Sequence, residues 1–419
     1  MRRSALQPKR LSADQVVLPR GQKSNRMLRL CVLLLAVVWL GVPAAAATSD
    51  ATLRVALQRD LNQYLGARSK IEHISAISLS VSLRGGNINV TAGRTRYGGG
   101  TLVTPESLWE IGSNTKAFTA ATILQLEAEG KLTIDQTVGR WLPQYPTWKN
   151  VTIRRLLNMT GGIPGYNRTA AWLRDYAKNP KRNFTVAELI AYVDPKHSRS
   201  APPPTTGYDY SNTNYLLAQL IIERASGHSY ASELDSRFFK PLGLSNTYYA
   251  DMQYPSDVRD RMVSGYFFSR AADKFGWASI FGTDVRDDSV SWLRAAGGIV
   301  STPQDLNRWA RALYTGPILT PKQRSELLSI VSDKTGKPIA KTTLRDANGF
   351  GLGVAQITLP QSGTIWWYLG ETAGYRMVEI YFPRKDAVIA YGLNSSPDSS
   401  EATKLGMTIY KTLHAAGKL

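Results

Sequence analysis

Two short constellations in this chain carry residue types suited to acyl transfer. The first is Ser113-Asn-Thr-Lys116, at the start of a helical pattern that continues A-F-T-A-A-T-I-L-Q-L-E-A-E and stops at Gly130. Residues three apart on a helix lie one turn apart and project to the same side, and a hydroxyl at a helix N-terminus sits in a positive local field. A Lys amine that has lost its solvation gives up its proton and can then take the Ser proton. A Ser and a Lys at this spacing also arise about once by chance in a chain of this size, so the pair alone favours a capping Ser and a surface Lys. The second constellation, Tyr210-Ser-Asn212, follows the Pro202-Pro-Pro loop and leads into the helix N-T-N-Y-L-L-A-Q-L-I-I-E-R. A phenol whose pKa is lowered by a nearby cation can move protons, and an Asn amide can orient a Lys and hold a substrate carbonyl. Alone, it reads equally as an Asn-rich cap with a packing Tyr.

The elements that must position these residues follow from hydrophobic period. A helical pattern covers roughly Ala51 to Leu65, and the alternation in Ile74-Ser-Ala-Ile-Ser-Leu-Ser-Val-Ser-Leu predicts a strand, turned at Gly85-Gly86 into a second at Ile88-Asn-Val-Thr-Ala. A helical, loop-rich middle runs from about Ser113 to Val290, with helix stops at Gly130 and Gly227. Strand signals return at Thr364-Ile-Trp-Trp-Tyr, Met377-Val-Glu-Ile-Tyr-Phe and Ala387-Val-Ile-Ala-Tyr-Gly, and a helix pattern closes the chain from Glu401 to Ala416. Strands at both ends with helices between them predict an α+β domain over 48–419. Its antiparallel sheet has five or more strands, is flanked by N- and C-terminal helices, and carries an inserted α-rich lobe over about 113–290. A cleft between two such lobes is where a site belongs.

The order of the motifs, S-x-x-K and then Y-x-N 97 residues later, resembles the serine β-lactamases and penicillin-binding proteins. The text is most similar to the class C β-lactamase-like serine hydrolases, which include D-Ala-D-Ala carboxypeptidases, D-aminopeptidases and certain esterases. W-E-I-G-S-N-T-K-A-F-T-A, V-T-I-R-R-L-L-N-M-T-G-G-I-P-G-Y, Y-S-N-T-N-Y-L-L-A-Q-L-I-I-E, F-K-P-L-G-L, A-A-G-G-I-V-S-T-P-Q-D-L and G-F-G-L-G-V carry the likeness over nearly all of the chain beyond its first 47 residues. The resemblance implies a β-lactamase/transpeptidase-like fold with Ser113 as nucleophile. Lys116 and Tyr210 would shuttle its proton, Tyr210 would activate the deacylating water, and Asn212 would hold the substrate amide. It also implies a third motif, Lys- or His-x-Gly, on the strand beside the Ser. A literal Lys334-Thr-Gly336 lies in a polar stretch without strand character and reads as a decoy loop. Alignment on Gly374-Tyr375 puts Tyr368-Leu-Gly370 in the slot instead, so a phenol stands where the family has a cation that binds substrate carboxylate. Gly370 keeps the close backbone approach, and the N–H groups of Ser113 and Glu371 would form the oxyanion hole. The Glu371 carboxylate would repel an acidic substrate end and attract an amine, unless it is turned outward into solvent.

The 51 Lys+Arg against 32 Asp+Glu give the 419-residue chain a net charge of +19. Part of that charge belongs to a leader: a basic stretch to Arg26, Met27-Leu-Arg, an apolar run from Leu30 to Pro43, and Ala44 to Ala47. Residues 1–47 hold eight Lys/Arg against one Asp, so cleavage there leaves +12 and removes Cys31, the single Cys. The apolar run is shorter than the about 20 residues of a comfortable membrane span. A signal peptide and a periplasmic hydrolase follow as expectations, with membrane attachment only if the leader is retained. The remaining charge suits an acidic cell-wall surface better than nucleic acid. His73, His197, His228 and His414 are scattered, and neither they nor Cys31 fall into metal-ligand spacing, so no metal or cofactor is expected. No Gly-x-Ser-x-Gly elbow, zinc-protease motif or phosphate loop is present. A small-molecule or peptidoglycan-derived substrate is expected.

Overall fold

In the first strand, β1 (Ala76–Leu83), alternation sorts the side chains between two different interiors. Ile77, Leu79 and Val81 join the core beneath helix α1 (Asp50–Glu72), whose Leu53, Leu57 and Leu61 meet them together with Leu405, Ile409 and Leu413 of the C-terminal helix Ala402–Ala415. Ser78, Ser80 and Ser82 point the other way, and helix Pro303–Tyr314 packs on them. There the Asn307 amide donates to Ser80 O at 2.9 Å and Arg311 Nε donates to Ser82 Oγ at 2.7 Å. A strand that reads I-S-L-S-V-S is thus buried on both faces, one dry and one hydrogen-bonded.

The computed structural model describes residues 49–198, 201–398 and 400–419. The expected leader, with Met27 and Cys31, lies outside the described residues. After β1 come β2 (Gly86–Arg96) and β3 (Gly99–Leu102), then β4 (Ile330–Ser332), β5 (Pro338–Ile339), β6 (Asn348–Phe350), β7 (Ala355–Leu359), β8 (Gly363–Glu371), β9 (Arg376–Phe382) and β10 (Ala387–Leu393). They form one sheet in the order β3-β2-β1-β10-β9-β8-β7-β6-β4-β5, with antiparallel neighbours throughout. The central β1·β10 pair joins segments from opposite ends of the chain, with Ile77 opposite Leu393 and Ser82 opposite Val388. The fold is α+β, as the strand and helix signals imply.

β4 to β7 carry no clear sequence signal, since they have two to five residues each and are interrupted by Gly349, Gly351 and Gly353. Lys334-Thr-Gly336 forms the turn between β4 and β5, with Lys334 Nζ donating to Arg345 O at 2.7 Å. It is a loop, as its polarity implies.

Between residues 113 and 290 the described strands are only Tyr248–Tyr249 and Tyr266–Phe268; the rest is helix and loop. Helix α2 (Thr115–Ala128) is buried on every side from Thr115 to Leu124, as a helix apolar all round must be. Helix α3 (Asn212–Ser226) crosses it and ends at Gly227, whose φ of 79° supplies the left-handed cap. Glu72 and Arg376, both without solvent exposure, pair at 2.8 Å and lock the end of α1 to the start of β9. Among the described residues no helix is long and apolar enough to cross a membrane.

Candidate active site

Ser113 stands on a 3₁₀ turn, Gly112–Asn114, that feeds directly into α2. Four hydrogen bonds fix the turn. Ile111 N–H donates to Ile299 O at 3.0 Å, Ile299 N–H donates to Thr115 Oγ1 at 3.2 Å, and the Asn114 amide donates to both Ile111 O at 2.8 Å and Met377 O at 3.0 Å. The end of β8 lies hard against this turn, and two glycines make that possible. A Cβ on Gly370 would sit 1.9 Å from Ile111 O, and one on Gly112, whose φ is +51°, would sit 2.8 Å from Glu371 N and 3.0 Å from Glu371 O. The N–H and C=O of a strand residue point the same way, so Glu371 directs its N–H toward the Ser turn. Ser113 N–H is among the first donors of the turn, which have no intrahelical acceptor.

Lys116 is completely buried. Its Nζ lies 3.0 Å from Ser113 Oγ and 2.7 Å from Ala296 O, and 4.8 Å and 5.5 Å from the ring centres of Tyr210 and Tyr215. Burial alone pushes its pKa well below the ordinary Lys value. A neutral amine has two N–H donors and one lone pair. Once deprotonated, Lys116 can give one donor to the Ala296 carbonyl and offer its lone pair to the Ser113 hydroxyl.

Tyr210 Oη is 3.1 Å from Tyr368 Oη, and the Ser113 hydroxyl is close enough to influence its titration. Its phenol is pushed up to about 12 by burial, against the downward pull of the Ser113 and Tyr368 hydrogen bonds, with the Glu371 charge pushing further up. The lowering that a neighbouring cation would produce is absent. Lys116 is desolvated and Tyr368 is uncharged, so Tyr210 keeps its proton at neutral pH and is poised as a donor. Phe350 sets the edge of this group, 6.0 Å from the ring centres of both Tyr210 and Tyr368 at steep angles.

Asn212 opens α3 two residues after Tyr210, and its Oδ1 is buried with no hydrogen-bond partner among the described residues. Tyr368 is buried on the α2 side of β8, in register with Trp366 and Gly370. Glu371, at the strand's end, is exposed. Surrounding protein raises its carboxyl, with the Arg376 guanidinium pulling the other way. The structure therefore gathers Ser113, Lys116, Tyr210, Tyr368, Gly370 and the Glu371 backbone at one place, and leaves Lys334 out of it.

Other site components escape a reading of side-chain types. The Ala296 carbonyl anchors Lys116. Gly353, with φ +77°, would place a Cβ 2.7 Å from Lys116 O and 3.0 Å from Tyr215 Oη, so the G-F-G-L-G-V backbone packs directly on the lysine's turn. The sequence signals are the glycine-dense strings that contain these residues.

A Ser-x-x-Lys at the head of a buried helix, a Tyr-x-Asn opening a second helix and a glycine-bearing strand end between them define the β-lactamase/transpeptidase class of fold. The Beta-lactamase family model matches residues 61–413, and the chain belongs to that family. Penicillin-binding protein 4* of Bacillus subtilis is 28% identical over 298 residues, covering 70% of this chain but 62% of the relative, so the chain spans less than two thirds of that relative's length. D-amino acid amidase from Ochrobactrum anthropi, complexed with D-phenylalanine, superposes with a TM-score of 0.72 at 23% identity, covering 87% of this chain and 99% of its own. A D-stereospecific amidohydrolase from Streptomyces superposes at 0.69 with 24% identity, covering 85% and 97%. These structural likenesses concern the fold.

Proposed function

We propose that the protein is an exported serine hydrolase that forms an acyl-enzyme on Ser113, acting on amide or peptide substrates of D-configured residues or on β-lactams. The observation that carries this reading is Lys116, fully buried, its pKa lowered by desolvation, 3.0 Å from Ser113 Oγ. Ser113 Oγ attacks the carbonyl and Lys116 Nζ takes its proton. The developing oxyanion is held by the N–H groups of Ser113 and Glu371, and Asn212, with its free Oδ1, receives the substrate amide N–H. Tyr210 protonates the leaving nitrogen and afterwards orders the deacylating water. No cofactor takes part.

Within this class a D-specific peptidase or amidase ranks first, a β-lactamase second and an esterase third. The D-amino acid amidase and amidohydrolase among the structural neighbours support that order. So does a site whose third motif offers a phenol, Tyr368, where a cation would bind substrate carboxylate, and whose rim carries the exposed Glu371 carboxyl. Export through the leader at 1–47 and work in the periplasm complete the reading. Labelling by a fluorescent penicillin, compared between the wild type and Ser113→Ala, tests it. A Ser113-dependent adduct that persists indicates a penicillin-binding peptidase, and one that disappears quickly a β-lactamase. Turnover of D-amino-acid amides without a penicillin adduct indicates an amidase. Absence of any Ser113-dependent reaction refutes the hydrolase.

A further inference from the structure

Tyr368 Oη is buried, and its hydrogen-bond partner is Tyr210 Oη, at 3.1 Å across 158 residues of sequence. The direction of that bond follows from counting donors and acceptors. If Tyr210 donated to Tyr368, the Tyr368 proton would have no acceptor among the described residues, since Tyr210 is its one hydrogen-bond partner there, an arrangement that buried hydroxyls avoid. If Tyr368 donates, its proton is satisfied and the Tyr210 proton is left free to face the reacting atoms at Ser113. Tyr368 then donates to Tyr210, and a deprotonated Lys116, its Nζ 3.0 Å from Ser113 Oγ, is placed to receive the Ser113 proton.

We propose that Tyr368 is a positioning residue that holds Tyr210 with its proton directed at the reacting atoms and steadies the phenolate formed when that proton is given away. This rests on the acyl-transfer reading above. As the Ser113 Oγ–carbon bond forms, the Ser113 proton passes to Lys116 Nζ and the carbonyl electron pair moves to oxygen. As the carbon–nitrogen bond breaks, the departing nitrogen takes the proton of Tyr210. The phenolate, receiving the Tyr368 hydrogen bond, recovers a proton from the Lys116 ammonium, which lies 4.8 Å from its ring centre. The net change is one proton moved from Ser113 to the leaving amine, with both relay residues restored. A neutral phenol in the third-motif slot therefore serves leaving-group protonation and gives up the carboxylate recognition that a cation supplies.

The role depends on the leaving group. A p-nitrophenolate departs as an anion and needs no proton, whereas an anilide nitrogen must be protonated. Single-turnover acylation is measured with the anilide and the p-nitrophenyl ester of the same D-amino acid on the wild type, Tyr368→Phe and Tyr368→His. In Tyr368→Phe, anilide acylation is expected to fall about 10- to 100-fold while ester acylation stays within about threefold, and Tyr368→His, which restores a donor, recovers most of the loss. Equal slowing on both substrates, slowing on neither, or a His variant as slow as the Phe variant overturns the inference. If the ester forms no Ser113 adduct on the wild type, the parent hydrolase reading fails, a result distinct from each of these.

Discussion

Gly370→Ala is a one-methyl change whose consequence can be worked from the backbone. The new Cβ would sit 1.9 Å from Ile111 O. A carbon and a carbonyl oxygen approach to about 3.3 Å at closest, so β8 and the Ser113 turn must separate by roughly 1.4 Å. Oxyanion donors act at about 2.7–3.1 Å, and a displacement of that size carries Glu371 N–H out of reach of an oxygen still held by Ser113 N–H. Losing one such donor costs about 10²- to 10³-fold in acylation, or about 2.7–4 kcal/mol. Crowding adds about 1–3 kcal/mol of destabilisation. The assay is burst acylation by a p-nitrophenyl ester under single-turnover conditions, with Tm measured alongside. Gly85→Ala serves as the control, since a Cβ there meets nothing within 4 Å. A folded Gly370→Ala protein that acylates within threefold of the wild type would refute the assignment of Glu371 N–H to the oxyanion.

Three further predictions concern titration and charge. Because burial lowers the Lys116 pKa, the rise of kcat/KM with pH for a neutral ester should level off well below the ordinary Lys range; a rate still climbing tenfold per unit between pH 9 and 10 would contradict a neutral Lys116. Glu379, buried in β9, has its carboxyl pushed up to about 8 by burial from an ordinary 4.5. A group raised on folding contributes stability that is present below about 4.5 and lost as pH climbs through about 8, here roughly 3–5 kcal/mol. Urea denaturation at pH 5, 7 and 9 should therefore show a shallower pH dependence for Glu379→Gln than for the wild type, and equal slopes would count against the assignment. Glu371→Gln should lower turnover of amine-bearing D-amino-acid amides relative to neutral esters by about 1.5- to fivefold, the range of one solvent-screened charge contact; an unchanged ratio removes Glu371 from substrate selection.

The parts of the fold that the sequence reveals are those whose period is long enough to read. The alternation through Ile77, Leu79 and Val81 and the β-branched runs near 365, 378 and 388 mark β1, β8, β9 and β10, which form the centre of the sheet. β4 to β7 are not legible, because strands of two to five residues among glycines complete no pattern. At the site, the three-residue spacing of Ser113 and Lys116 implies their contact. The reason the Lys116 pKa is lowered does not show in local text: it is enclosed by the Ala296 carbonyl and the Tyr210 and Tyr215 rings, 94 to 180 residues away. The absence of a cation from the third-motif slot is legible, because alignment on Gly374-Tyr375 already puts the uncharged Tyr368 there. The sequence leaves open whether Glu371 is turned outward; the structure shows it exposed at the last residue of β8.

Everything proposed for this protein depends on a covalent bond at Ser113. The most direct measurement is acid-quenched intact mass spectrometry of the protein mixed for seconds with a p-nitrophenyl ester, followed by peptide mapping, for wild type and Ser113→Ala. The account predicts one acyl increment on the wild type, located on the peptide containing Ser113, and none on Ser113→Ala. An unmodified wild-type protein that nevertheless hydrolyses the ester, or an equal increment on both proteins, would contradict it.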